Sequence, residues 1–323
     1  MQPLAGLLFA VIVGSSLYIN KYVLSVLGFK YPTIFQGQSN NQNRTLWFYN
    51  DVRRQTLASL VIFKVLTYTH KNNFKLVNMD RSAFISLLPG FLFYTTSIVS
   101  ASKALAGVPL PVFVSVLNTI PAAIYVVDRI FPAGRPPVDF LQLAGAIVTL
   151  ATATVLILTQ VGLDFSDSAY FWLVVAVICY VAYTLHCRIA DARYTSWDRL
   201  YYNSIFSVII LTPASLYLEE AFQALNFHHE QQGLFLAGCG TSALLTAVSH
   251  LYTLRLKQDE YFGPLYHLAM GVTALLSPLL FTTNLSLLQW VLVVTNVIST
   301  VPIPSHHMKD DEDEKLMGII EDF

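Results

Sequence analysis

The sequence has few charged side chains. Lys, Arg, Asp and Glu together make up 12% of its 323 residues, whereas a soluble globular domain carries about 25%. The net charge is −1, so the sequence predicts no basic surface that would bind nucleic acid. Hydrophobic residues make up 54% of the chain, and this balance is typical of an integral membrane protein that contacts a lipid bilayer.

Cysteines and catalytic patterns are also scarce. The three cysteines, Cys179, Cys187 and Cys239, lie in or near apolar segments, and their odd number implies no disulfide framework. The eight histidines show no HExxH or comparable metal spacing, and no Ser/His/Asp constellation can be argued. We therefore expect a protein that is not an enzyme and has no metal or covalent cofactor.

Long apolar runs, by contrast, fill most of the chain. A helix needs ~20 mostly apolar residues to cross a bilayer, and such runs form helices because their backbone groups then bond internally. Ten runs meet or approach this length, at 4–27, 55–69, 82–102, 109–130, 139–160, 169–188, 200–218, 233–254, 262–283 and 286–304. No Lys or Arg precedes Lys21, so we interpret the first run as a span and not as a cleaved signal peptide.

Basic residues alternate between the loops that join these runs. The even-numbered loops hold ten Lys and Arg residues, whereas the odd-numbered loops hold only Lys30 and Lys103 once residues 38–54 are set aside. By the positive-inside rule, the even-numbered loops and both termini are cytosolic. Residues 1–304 then form a single multi-pass transmembrane domain, and 305–323 form an acidic cytosolic tail.

Ten spans divide into two halves of five. An odd number of spans per half inserts the two halves in opposite directions, as in transporters whose substrate site lies between inverted repeats near the middle of the membrane. The predicted fold is therefore an all-α integral membrane protein with about ten transmembrane helices in two inverted five-helix repeats. No clear internal sequence identity is visible, so the repeat is inferred from the number of spans.

Several apolar runs carry polar side chains, which are costly to bury in lipid without partners. In the first run, Asn20 precedes Lys21, which either extends toward the lumenal headgroups or faces an anionic substrate or a structural carboxylate. In the seventh run, Asn203 and Ser207 share a helical face beside Tyr202. An aromatic belt at the membrane surface explains the tyrosine but leaves the amide unexplained, so we favour a substrate site here.

Two further runs combine polar residues with helix breakers. In the fourth run, Asn118 lies three residues before Pro121. A kinked helix whose polar groups are satisfied by neighbours competes there with a substrate contact. In the ninth run, Tyr266 and His267 precede Gly271, and breakers in such a span make room for a ligand or a gating bend. We interpret His267 as an interior histidine and not as a proton relay.

Four stretches, taken in order, resemble the nucleotide-sugar transporters of the drug/metabolite transporter superfamily, nearest to the Golgi GDP-mannose transporter branch and its animal relatives. They are NKYVLS (20–25), SASKALAGVPLPVFV (100–114), YFWLVVAVICYVAYTLHCRIA (170–190) and YYNS (201–204). The resemblance implies an antiporter of the Golgi or ER membrane that exchanges cytosolic nucleotide-sugar for lumenal nucleoside monophosphate. The resemblance neither requires nor excludes a homodimer.

Substrate residues follow from the same resemblance. YYNS resembles the FYNN motif, whose asparagines contact the nucleotide in the GDP-mannose branch, which implies substrate contacts by Tyr202, Asn203 and Ser204. That branch also carries GALNK in its ninth span, with the lysine near the diphosphate, whereas this chain has MGVTALLS and no cation there. We therefore expect a UDP-sugar such as UDP-N-acetylglucosamine, with Lys21 or Lys103 as the alternative cation.

Other functions stay open at this stage. They are transport of GDP-mannose, transport of another anionic metabolite such as a sugar phosphate, and a role as a non-transporting membrane scaffold or receptor. The candidate substrate-binding residues are Asn20, Lys21, Lys103, Asn118, Tyr202, Asn203, Ser204, Ser207, Tyr266 and Gly271.

Residues 38–54 interrupt what would otherwise be one span, because 31–37 and 55–69 joined together have the length of a transmembrane helix. The interrupting segment is polar and holds three arginines. We interpret it as an insertion or a gene-model artefact such as a retained intron. The alternative is a genuine lumenal loop, which would expose a glycosylation site at Asn43.

Overall fold

The computed structural model describes residues 3–28, 77–130, 139–162, 168–189, 194–217, 232–256 and 262–303, and every regular element within these ranges is helical. The helices are α1 (Pro3–Lys21) with a π-helical extension (Tyr22–Val26), α2 (Arg81–Gly107), α3 (Leu110–Leu117), α4 (Thr119–Ile130), α5 (Phe140–Val161), α6 (Ala169–Ile189), α7 (Ser196–Tyr217), α8 (Gln232–Leu256), α9 (Phe262–Leu276) with a 3-10 turn (Ser277–Leu279), and α10 (Leu287–Thr300). The predictions for the second span, residues 38–54, Asn43 and the acidic tail lie outside the described residues.

Several of these helices have the properties of membrane spans. Within the described ranges, five helical segments are long and apolar enough to cross a bilayer: Gly6–Val26, Arg81–Gly107, Leu110–Ile130, Phe140–Val161 and Ala169–Ile189. The shorter Leu287–Thr300 is also apolar. The expected all-helical membrane protein is therefore confirmed, while the number of ten spans and their inverted repeat stay predictions.

Local side-chain chemistry sets where two of the helices begin. At the start of α2, Asp80 accepts a hydrogen bond from the backbone N–H of Ala83 at 2.8 Å. At the start of α10, Ser286 and Gln289 bond each other's backbone N–H groups in a reciprocal capping box. Such caps satisfy the first amides of a helix, which have no acceptor inside it.

The fourth predicted span is broken near its middle. α3 ends at Leu117, α4 begins at Thr119, and Asn118 lies between them. Pro121 lies in the first turn of α4, where its missing N–H removes no intrahelical bond. This break agrees with the kinked helix that Pro121 favours, and it lies a few residues before the proline.

A few helix pairs make most of the long-range contacts. α2 packs along α6, α1 packs along α8, and α5 packs along α10. α9 contacts both α1 and α3, and α4 contacts α5 and α6. The largest apolar cluster fills the space where α1, α2, α3 and α9 meet, with buried side chains that include Phe9, Val23, Leu105, Leu110 and Met270. This cluster holds the helices that surround the candidate site.

Candidate functional site

Tyr180 of α6 faces the interior of the helix bundle and nevertheless stays accessible. Ile178, which is 61% exposed, marks the outer face of α6, and Tyr180 lies about 200° further around the helix. Tyr180 keeps 41% of its surface exposed and is close enough to Tyr266 of α9 for the two side chains to interact electrostatically. From this accessibility on the inner side of α6 we infer that Tyr180 borders an internal cavity, which is the candidate site.

Three tyrosines of α2 and α6 line this cavity as one wall. The ring centroid of Tyr183 lies 5.9 Å from that of Tyr180 and 5.2 Å from that of Tyr94. Tyr94 is buried, whereas Tyr180 keeps 41% of its surface exposed. These separations and tilted orientations are those preferred by aromatic pairs, so the rings support one another. We call Tyr94, Tyr180 and Tyr183 the tyrosine wall.

Asn203 of α7 forms a hydrogen bond with the tyrosine wall. It is 1% exposed, and its side-chain amide donates a hydrogen bond to the Tyr183 hydroxyl at 2.6 Å. The Cys187 side chain also bonds that hydroxyl. One turn further along α7, Ser207 pairs with the Thr95 hydroxyl of α2 at 2.9 Å. The predicted pair Asn203 and Ser207 thus lies on the inner face of α7 and joins it to α2 and α6.

The two neighbours of Asn203 make other contacts. Tyr202 donates its hydroxyl hydrogen to the backbone carbonyl of Val77 at 2.7 Å, before the start of α2. Ser204 donates to the carbonyl of Leu200, one turn back along α7, at 2.8 Å. The Tyr202 contact joins α7 to the segment before α2, whereas the Ser204 contact stays within α7. The substrate contacts that the motif resemblance implied for Tyr202 and Ser204 stay predictions.

Lys21 is bound by backbone carbonyls at the end of a neighbouring helix. It is 6% exposed, and its ammonium donates to the carbonyls of Leu105, Ala106 and Val108 at 2.7, 3.4 and 2.9 Å. The last carbonyls of a helix lack partners inside it, so the lysine satisfies the end of α2. All three ammonium hydrogens are used. Lys21 therefore neither extends to the headgroups nor offers a free charge to a substrate.

Lys103, at the end of α2, lies near the inner face of α6. Its ammonium lies 4.3 Å from the centroid of the Trp172 ring, a cation–π contact. Within the described ranges no carboxylate lies within ion-pair distance of it. Trp172 precedes Tyr180 by eight residues, which is about 12 Å along the axis of α6. The expectation that Lys103 meets the diphosphate stays a prediction.

Asn20 is held between α1 and α8. The Ser242 hydroxyl donates to its side-chain carbonyl, and its amide donates to the Thr246 hydroxyl at 3.3 Å. One turn earlier in α1, Ser16 pairs with the same Thr246 hydroxyl at 3.0 Å. The shared face of Ser16 and Asn20 is therefore a polar contact between helices, and a substrate role for Asn20 stays a prediction.

Asn118 is buried against α5 and α10. Its amide donates to the side-chain carbonyl of Asn296 at 3.2 Å. The Asn296 amide in turn donates to the Thr149 carbonyl at 3.1 Å and the Thr152 hydroxyl at 3.0 Å. These bonds agree with the alternative of a kinked helix whose polar groups are satisfied by neighbours, and a substrate role for Asn118 stays a prediction. Asn296 was not predicted, although an asparagine within the tenth apolar run was visible in the sequence.

Tyr266 and His267 share the start of α9 but differ in surroundings. The Tyr266 ring lies 6.1 Å from that of Phe9 and is only partly buried, in agreement with its place opposite Tyr180. His267 is 3% exposed, and its Nδ1 has no hydrogen-bond partner within the described residues. His267 is therefore an interior residue, as expected, and a substrate role for Tyr266 stays a prediction.

Gly271 lies where α9 touches α10. A Cβ atom at this position would come closer to Cγ1 of Val297 than two carbon atoms can approach. The glycine thus allows two helices to pack closely and does not make room for a ligand. This corrects the expectation from the sequence.

We expect Gly271→Ala to lower the thermal unfolding temperature of the detergent-purified protein, because overpacking of this kind costs about 1–3 kcal/mol. Gly233→Ala on α8 is the matched control, since a Cβ there meets nothing within 4 Å. Adding Val297→Ala should recover part of the loss. Equal unfolding temperatures for the two glycine variants would contradict the close contact.

An ion pair joins the ends of α4 and α6. Nη1 of Arg188 lies 2.5 Å from Oδ1 and 2.7 Å from Oδ2 of Asp128. Asp128 is 4% exposed, so the pair is largely shielded from solvent. In the sequence, Arg188 counted only among the ten basic residues that set the orientation in the membrane, and Asp128 was not predicted to have a role. A single carboxylate at the end of an apolar run was the available signal.

Comparison with known proteins shows which class of membrane protein the chain resembles. Residues 167–303, from just before α6 to the end of α10, match the EamA-like transporter family. Together with the apolar helices, this match indicates a multi-pass membrane transporter.

Two relatives are more specific. The chain is 29% identical over 259 residues to a protein named UDP-N-acetylglucosamine transporter TMEM241 homolog of Xenopus laevis, which covers 80% of each chain. It is 29% identical over 290 residues to the UDP-N-acetylglucosamine transporter TMEM241 of Mus musculus, which covers 88% of this chain and 90% of that protein. Both relatives are named as transporters and not as enzymes, and neither is named as a GDP-mannose transporter.

Proposed function

We propose that this protein is a nucleotide-sugar transporter whose cargo is a UDP-sugar such as UDP-N-acetylglucosamine. The observation that carries the proposal is its similarity, over 80–88% of its length, to two proteins named as transporters of that compound. The internal cavity supports it, because tyrosine rings and an asparagine amide suit a nucleoside. At the position of the missing lysine, Ala274 is buried and Leu275 is 44% exposed, so α9 offers no cation to a diphosphate.

We infer that the described helices belong to a ten-helix fold of two inverted five-helix repeats, in which α1, α2 and α6 are the first, third and sixth spans. A two-fold axis that exchanges the first and sixth spans also exchanges the third and eighth. The contact of α2 with α6 then corresponds to that of α8 with α1. Likewise, the contact of α1 with α9 corresponds to the contact of α6 with α4. The axis exchanges α5 with α10, so the contact between these two helices corresponds to itself.

The loop charges support an orientation with both termini in the cytosol. In that orientation Asp128 and Arg188 lie at the cytosolic ends of their helices, and Lys103 lies toward the lumen. Epitope tags at either terminus are expected to bind antibody after selective permeabilisation of the plasma membrane. A C-terminal tag that becomes accessible only after the internal membranes are opened would contradict this topology.

The mechanism that fits this arrangement is alternating access in a Golgi or ER membrane. Cytosolic UDP-sugar would enter the cavity, and rocking of one half against the other would release it into the lumen in exchange for nucleoside monophosphate. Asn203 holds the tyrosine wall in place, and Lys103 supplies positive charge for the phosphates. No covalent step is required, and a homodimer is compatible with this scheme.

Exchange in proteoliposomes tests the proposal. Purified protein is reconstituted into vesicles loaded with uridine monophosphate, and uptake of labelled UDP-N-acetylglucosamine, GDP-mannose and a sugar phosphate is compared with uptake by vesicles without internal nucleotide. We expect uptake of the UDP-sugar that depends on internal uridine monophosphate. Uptake of GDP-mannose alone, or of the sugar phosphate alone, would overturn the substrate assignment, and no uptake of any compound would favour a scaffold or receptor.

A further inference from the structure

Tyr180 keeps 41% of its surface exposed although it lies on the inner side of α6. Most large side chains with comparable exposure lie on outer helix faces, as Ile178 does on the same helix, where lipid covers them. Tyr180 points the other way, toward α9. Its edge-to-face neighbour Tyr183 is held by the amide of Asn203, so Tyr180 rests on an aromatic ring that is itself fixed.

We propose that Tyr180 is the surface on which the nucleobase of the substrate stacks. The inference rests on the proposed function and names the part of the cavity that recognises the nucleoside. Every nucleobase has a flat π face, and stacking on an aromatic side chain is a common way for proteins to bind one. A ring that is already held in place loses little conformational freedom on binding, which favours affinity.

The position of Lys103 supports this orientation of the nucleotide. In a nucleotide-sugar the base and the diphosphate lie on opposite sides of the ribose. The Lys103 ammonium packs against the Trp172 ring. Trp172 itself lies about 12 Å from Tyr180 along the axis of α6. Its flexible stem allows it to move from the Trp172 ring to a phosphate oxygen, which offers a stronger, charge-assisted bond. The base therefore lies at Tyr180, and the phosphates point toward Lys103.

Substitutions at Tyr180 test the stacking contact by transport. Tyr180→Phe keeps the ring, and we expect its KM for UDP-N-acetylglucosamine to stay within about twofold of the wild type. Tyr180→Leu removes the π face, and we expect its KM to rise about 10-fold. Phe171→Leu, an aromatic substitution on the outer face of the same helix, is the matched control and should leave the KM unchanged. A wild-type KM for folded Tyr180→Leu would overturn the proposal.

Cys187 supplies a second measurement that does not depend on transport. Its side chain bonds the Tyr183 hydroxyl, and the residue is partly exposed. In a variant with Cys179→Ser and Cys239→Ser it is the sole cysteine of the chain. We expect uridine monophosphate to slow its alkylation by N-ethylmaleimide severalfold, and Tyr180→Leu to weaken this protection. Ribose 5-phosphate, which has no base, should protect much less.

The two measurements separate the two hypotheses. Equal protection by ribose 5-phosphate and by uridine monophosphate would overturn the stacking site. Protection by uridine monophosphate without exchange of any nucleotide-sugar would refute the proposed transport and keep the nucleoside site. Exchange by the wild type together with an unaffected Tyr180→Leu would refute the stacking site and keep the transport function.

Discussion

Replacing Asn203 with alanine is expected to reduce nucleotide-sugar exchange at least about 10-fold, while the protein still folds. The buried amide donates to the Tyr183 hydroxyl at 2.6 Å, and loss of a hydrogen bond in such a site costs about 1–3 kcal/mol. The measurement is exchange in proteoliposomes at equal amounts of reconstituted protein. Ser204→Ala is the matched control, because within the described residues the Ser204 hydroxyl bonds the carbonyl of Leu200 in its own helix.

A double-mutant cycle with Tyr183→Phe shows how Asn203 acts. If the amide works by fixing the tyrosine wall, the two single variants lose similar activity and the double variant loses little more. If the amide bonds the substrate directly, the two losses add. Unchanged exchange by well-folded Asn203→Ala would remove α7 from the site altogether.

Replacing Asp128 with alanine is expected to cause the largest loss of stability. Asp128 pairs with Arg188 at 2.5 Å, and removing one partner of a buried ion pair costs about 3–5 kcal/mol, because the other charge is left uncompensated. We expect a marked fall in both yield and thermal unfolding temperature in detergent. Asp139→Ala is the control, since that carboxylate caps the exposed start of α5.

The partner substitution distinguishes the ion pair from other effects at this position. Adding Arg188→Leu to Asp128→Ala removes the uncompensated charge, so the double variant should be more stable than Asp128→Ala alone. A double variant that is no more stable than the single one would show that Asp128 acts through contacts other than Arg188.

Much of the architecture could be predicted from the sequence because lipid leaves few alternatives. An apolar run in a bilayer must form a helix, so its length and position follow from composition. The run predicted at 139–160 became Phe140–Val161, and that at 169–188 became Ala169–Ile189. The break before Pro121 was equally visible, since proline cannot continue the hydrogen-bond ladder from within a helix.

The candidate site was predicted only in part. Asn203 and Ser207 were correctly placed on one inner face of α7, because residues four apart on a helix share a face. Tyr180 was missed, because an aromatic residue in an apolar run looks the same in the sequence whether it faces lipid or a cavity. Its role became visible only when its exposure could be compared with that of Ile178.

The sequence by itself determined that this protein is helical and lies in a membrane, and which side chains share a helical face. Only the tertiary structure decided what each polar face meets. Lys21 meets the carbonyls at the end of α2, Asn118 meets Asn296, and Gly271 meets Val297. The physical reason is that helical periodicity is a property of one segment, whereas the partner of a buried polar group is set by which helices pack together.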